Sequence, residues 1–121
     1  MRVSHIELAG NKHPLCFSLT ASAELDEHFG SLEKMEEVMT NGSLYQKARA
    51  IDKVLSVLMK CGRTYAEAVG MELPEPIRCS PGDLIDVTDG TAVKAIFSAI
   101  SNDIDREVEV ESKNEKATQD A

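Results

Sequence analysis

The chain has 121 residues, 42% of them hydrophobic and 28% charged, with 21 acids against 13 Lys and Arg. That length suits one domain with a core that needs no disulfide or metal, and the hydrophobic share excludes wholesale disorder. A formal charge of −8 argues against a protein that grips nucleic acid by its phosphates, because such binding needs Lys and Arg to displace counterions.

Three cysteines, Cys16, Cys61 and Cys79, form no close pair, so neither a CxxC metal knuckle nor a paired disulfide framework is expected. They read as small buried or half-buried thiols. Met1 to His5 lack the apolar run of a secretory signal, and no stretch of about 18 apolar residues occurs. The expectation is a soluble cytoplasmic protein with no membrane association.

The first twenty residues predict a β-hairpin. Gly10-Asn11 suits a two-residue turn, which pairs Ala9 with Lys12, Leu8 with His13, Ile6 with Leu15, Ser4 with Phe17 and Arg2 with Leu19. Side chains alternate along a strand, so Ile6, Leu8, Leu15, Phe17 and Leu19 form the hairpin core, with His5 and Cys16 on the other face. Pro14 lacks an amide donor and marks an edge or an unpaired position.

Helices follow. Thr20 caps one through Phe29, which Gly30 stops, and Ser31 opens another to about Met39, which Asn41-Gly42 ends. Ser43 and Gln46 make a capping box for the longest helix, which runs to Cys61 with Gly62 just beyond. Its apolar residues Leu44, Ala48, Ile51, Val54, Leu55, Leu58 and Met59 keep the three-and-four spacing of one buried stripe. Thr64 and Glu67 make a second capping box for a short helix ending at Gly70. Leu73-Pro74-Glu75-Pro76 is a stiff connector, and Ser80-Pro81-Gly82-Asp83 reads as a helix start. After Asp89-Gly90, Val93, Ile96, Phe97, Ile100 and Ile104 line one face of a last helix. The expectation is an α+β fold: an N-terminal β-hairpin packed on a mainly α-helical body as a single domain over residues 1–110, then a disordered acidic tail over 111–121.

Charge is segregated. Glu24 to Glu37 hold six acids and only Lys34 as a base, whereas Lys47, Arg49, Lys53, Lys60 and Arg63 stand against Asp52 alone. Solvated helix faces are the plain explanation. The sharper one makes the five bases a contact for a partner or for an acidic face on a second copy. His5 opposite Cys16 is at most half a zinc site, and His28 sits among surface acids. The carboxylates are spaced like a solvated surface, and no nucleophile elbow, P-loop, dinucleotide fingerprint or H-E-x-x-H occurs. No catalytic residue, cofactor or metal is expected. The chain reads as an interaction protein, not an enzyme.

The run His5-Ile6-Glu7-Leu8-Ala9-Gly10-Asn11-Lys12-His13-Pro14-Leu15-Cys16-Phe17-Ser18-Leu19, with the later His28-Phe29-Gly30-Ser31-Leu32-Glu33-Lys34-Met35, resembles the opening of tail assembly chaperones of long, flexible-tailed phages and prophages. The resemblance covers roughly residues 5 to 60, and the segment from Pro74 to Gly90 carries no signature of that family. It implies a protein that binds the tape measure protein and keeps its long helical chain soluble during viral tail assembly. It further implies contact with the tail tube protein as a second partner, self-association as a homo-oligomer, residence in the cytoplasm of the bacterial host, and absence from the mature virion. Many such chaperones exist in two lengths through ribosomal frameshifting, for which Ser112-Lys113-Asn114 is the candidate slip site here. Two rival readings stay open: a structural tail or head–tail joining component, and a small acidic regulator of a host protein.

Overall fold

The computed structural model describes residues 3–101. Two short strands, β1 (Ser4–Leu8) and β2 (Asn11–Leu15), form an antiparallel hairpin. Helices α1 (Leu19–Phe29), α2 (Leu32–Asn41) and α3 (Leu44–Val69) follow. After a connector comes one turn of 3-10 helix, Pro81–Leu84, and then α4, described over 91–101. The arrangement is α+β, with the hairpin laid on α3. Among the described residues no helix is long and apolar enough to cross a membrane. The expected tail over 111–121, Ile104 of the last stripe and the Ser112-Lys113-Asn114 site lie outside the described residues.

The hairpin turns at Ala9-Gly10, one residue earlier than the sequence suggested. Both turn residues have positive φ, 51° and 84°, the requirement of the tight turn whose twist matches paired strands. Ile6 therefore faces His13, His5 faces Pro14 and Ser4 faces Leu15, a shift of β2 by two residues from the expected pairing. Proline explains the shift. Bonded and non-bonded pairs alternate away from a bonded pair that closes a two-residue turn. The observed register sets Pro14 on a non-bonded pair, whereas the expected one would set it opposite Glu7, where an amide is required. A two-residue shift keeps every side chain on its own face, so Ile6, Leu8 and Leu15 are buried as expected.

Leu19 is not part of the hairpin core. The strand ends at Leu15, Leu19 opens α1, and it is 89% exposed. Ser18 rather than Thr20 caps that helix, its Oγ accepting the Ala21 N–H at 3.1 Å. Phe17 lies in the link between strand and helix, half-buried against the core. Cys16, expected on the outer face, is buried, and its N–H donates to the Leu58 carbonyl of α3 at 3.2 Å.

The other caps follow serine chemistry. Ser31 Oγ accepts the Lys34 N–H at 3.0 Å, and the box at Ser43 and Gln46 closes with bonds of 3.2 and 2.9 Å. The main departure is that α3 does not stop at Cys61. It continues for another two turns to Val69, where Gly70 with φ of 80° ends it. Thr64 starts no new helix, and its hydroxyl donates back to the Lys60 carbonyl at 3.1 Å. Gly62 is there for proximity, since a Cβ at that position would strike the Pro14 carbonyl. Leu15, Leu25, Met35, Val54, Leu55, Leu58 and Ile96 form the fully buried centre. Ile100 closes it beside half-buried Val93 and Phe97.

Candidate functional site

A long helix with one wide buried face leaves a narrow outer stripe. On α3 that stripe carries Arg49, Lys53, Lys60 and Arg63, whose spacing places them on one side. Lys47 falls on another side of the helix and is half-buried, so the five bases do not form one surface. Several are already engaged within the molecule. Lys53 and Lys60 both approach Glu24 of α1, at 3.8 and 3.4 Å. Arg49 lies over the Tyr45 ring, 5.7 Å from its centroid, and donates to its hydroxyl at 3.3 Å. Arg63 reaches in to the Pro74 carbonyl at 2.9 Å. Exposed ion pairs of this kind are worth about 0–1 kcal/mol, so a partner carboxylate can displace them at little cost.

The first half of α3 and the α1–α2 junction enclose a cleft of about 760 Å³. Phe29, Val38 and Ala50 give it an apolar floor, and Tyr45, Arg49 and Lys53 form a rim. His28 stands edge-on to Phe29 at 4.7 Å and 77°, which stiffens that wall. Asp52 also lines the cleft and accepts the Gly82 N–H at 2.8 Å, tying the 3-10 turn to the middle of α3. At the N-terminal end of α3, Leu44 and Tyr45 stay 66% and 70% exposed. The result is an open groove that suits a side of an amphipathic chain with acidic flanks. Sequence reasoning found Arg49 and Lys53 through the basic run but missed Phe29, Val38 and Tyr45, which come from three separate helices.

The hairpin residues serve the core rather than a binding surface. Ile6, Leu8 and Leu15 are buried, and Phe17 is half-buried. His5 faces Pro14 and not Cys16, which dissolves the partial zinc site. Among the described residues no group of three or more His, Cys, Asp or Glu could hold a metal ion. Cys16 and Cys61 are buried, and Cys79 is exposed. Asp86 and Asp89 accept the N–H and hydroxyl of Thr88 and Thr91 at 2.8–2.9 Å. Those bonds hold both carboxyls below their ordinary pKa.

His13 is a buried titratable group. Alternation sets it on the face of Leu8 and Leu15, and there it points into the core, 1% exposed, with neither ring nitrogen having a hydrogen-bond partner among the described residues. Burial, and then the nearby Arg63 charge, hold its pKa below the ordinary imidazole value. Both effects favour the neutral ring. Against known proteins, no family model, no curated protein and no solved structure matches the chain.

Proposed function

We propose that the protein is a tail assembly chaperone, which binds the tape measure protein and keeps it soluble while a phage tail assembles. One observation carries the reading: the groove beside α3 lies within residues that carry the family resemblance, and it joins an apolar floor of Phe29 and Val38 to exposed Tyr45 and to Arg49 and Lys53. A long amphipathic helix that aggregates alone offers what such a groove needs, an apolar stripe for the floor and flanking charge for the rim. Weak internal partners on the rim favour reversible binding, which suits a protein that must leave as tube subunits arrive. The tail tube protein is the second partner on this reading. The chaperone works in the bacterial cytoplasm as a homo-oligomer, and the virion lacks it.

The test is coexpression with the tape measure protein of the same tail gene cluster. The wild type should keep that protein in the soluble fraction and co-purify with it, while Tyr45→Ala combined with Arg49→Glu should lose most of that effect with unchanged folding. Recovery of the protein as a fixed component of purified virions would favour the rival structural role.

A further inference from the structure

The hairpin is a sheet of only two strands among the described residues, and such a sheet is marginal on its own. Its two edges differ. Helix α3 lies against β2, and the Cys16 N–H just beyond that strand is bonded to it. On β1, Leu8 and Asn11 are the bonded closing pair, so Ile6 also bonds across to β2, whereas His5 and Glu7 fall on non-bonded pairs. The N–H and C=O of those two residues therefore point away from β2, along the outer edge. Outside the helices and the hairpin ladder, no backbone hydrogen bond among the described residues involves either of them. Both side chains are exposed. A cleft of about 410 Å³ lies beside the strand, walled by His5, Ile6 and Glu7 and, across it, by Asp89, Thr91 and Ala95. The edge is open to an extended chain.

We propose that its occupant is a second copy of this chain, whose β1 lies antiparallel to this one about a two-fold axis. The residues of the strand favour that partner. For two such edges to bond, outward-facing residues must oppose outward-facing residues. Among the registers that allow this, the one centred on Ile6 pairs the five-residue strand along its whole length. The same register sets His5 against Glu7 of the second copy, and Glu7 against its His5. Each of these pairs exchanges two main-chain hydrogen bonds. Each also puts an imidazole that can donate beside a carboxylate that accepts. Slipping by two residues one way opposes the two Glu7 carboxylates, and slipping the other way opposes the two His5 rings. Lys12 of β2 flanks Glu7 from its other side, so each carboxylate lies between an ammonium and an imidazole. On the covered face the axis passes between the two Ile6 side chains, a β-branched pair at the close spacing of a non-bonded position. The product is one continuous four-stranded sheet, which is stable where two strands are not. This contact gives the homo-oligomer of the proposed function its seam, and rests on that reading for the second copy alone.

Sedimentation and amide exchange of the full chain, from dilute to concentrated protein, test it. Monomer should give way to dimer as concentration rises. On dilution the His5 and Glu7 amides should lose about tenfold or more of their protection, while Ile6 and Leu8 keep theirs. Added salt should leave the dimer intact or tighten it, because two copies of charge −8 repel less when screened. Glu7→Pro removes an edge amide that the hairpin itself does not use, and should abolish the dimer with Ile6 and Leu8 still protected. His5→Glu should weaken the dimer about tenfold or more, and His5→Glu with Glu7→His should restore it. A monomer at every concentration, a dimer that persists in folded Glu7→Pro, or a His5→Glu dimer as strong as the wild type overturns the proposal. So does protection of His5 and Glu7 that ignores dilution. A dimer that dissolves in salt assigns self-association to the basic stripe of α3 and overturns it equally. None of these results bears on tape measure binding, which the coexpression test reads separately.

Discussion

The two ends of α3 put the same kind of side chain to different uses. From its middle as far as Ala66, Val54, Leu55, Leu58 and Cys61 are buried under the hairpin and the neighbouring helices, before the last turn comes back into the open at Val69, and Gly62 lets the hairpin backbone come into contact. At its N-terminal end, Leu44 and Tyr45 belong to the same helix yet stand in the open, Tyr45 lining the groove. Apolar character is common to both ends, so hydrophobicity along the helix does not separate structure from binding. Coverage does, and coverage depends on what the rest of the chain lays on top. The covered end should therefore govern stability and the open end should govern association.

Mutations separate the two ends most sharply at Leu58. Leu58→Ala empties a fully buried site and should cost about 2–5 kcal/mol in urea denaturation; a loss below about 1 kcal/mol would mean that the core relaxes around the gap. Gly62→Ala should cost less, about 1–3 kcal/mol, because the hairpin can retreat from the added methyl at the expense of its contacts. An exposed helical glycine would instead be stabilised by the same change, so the sign alone decides whether proximity is the reason for Gly62.

His13 adds a pH dependence to the covered end. The unfolded chain takes up a proton near the ordinary value of 6.5, whereas the folded imidazole does so only at lower pH. Its neutral form therefore supports the fold fully above 6.5, and that support is lost as pH falls through the lower folded value. Denaturation midpoints between about pH 7.5 and pH 5.5 should drop for the wild type and drop less for His13→Leu. Parallel slopes in the two proteins would place the titrating group elsewhere.

The smallest effects concern the turn and the open end. Ala9 holds φ of 51° without being glycine, so Ala9→Asn should stabilise by about 0.5–1 kcal/mol, since asparagine tolerates that conformation better. Tyr45→Ala should change stability by less than about 0.5 kcal/mol, and a larger loss would show that this ring belongs to the structural end after all.

The parts of this architecture written in local chemistry were legible in advance. Ser31 and the Ser43–Gln46 box cap helices as their spacing suggests, Gly30 and Gly70 end them, and the alternation of Ile6, Leu8 and Leu15 names the buried face whichever even-numbered register applies. Cues with two meanings misled. Gly62 is a helix stop in isolation, but here the approach of Pro14 requires it within a continuous helix. Thr64 three residues before Glu67 looks like a cap, yet a preceding helix that never ends leaves it no free amides to cap. Leu19 extends a strand pattern by parity alone, while Ser18 beside it starts a helix. The groove was hidden because Phe29, Val38 and Tyr45 come from three helices, and only their packing brings them to one wall.

The bond from the Cys16 N–H to the Leu58 carbonyl has an evolutionary consequence. Because the hairpin is fastened to α3 by main chain, that bond itself survives a change of side chain at position 16, though the residue there must still fill a fully buried site. Position 62 has no such liberty, since any branched or longer side chain there would push the strand away from the helix. Descendants of this sequence should therefore keep glycine at 62, and a lineage that lost that glycine would have to find a new seat for its hairpin.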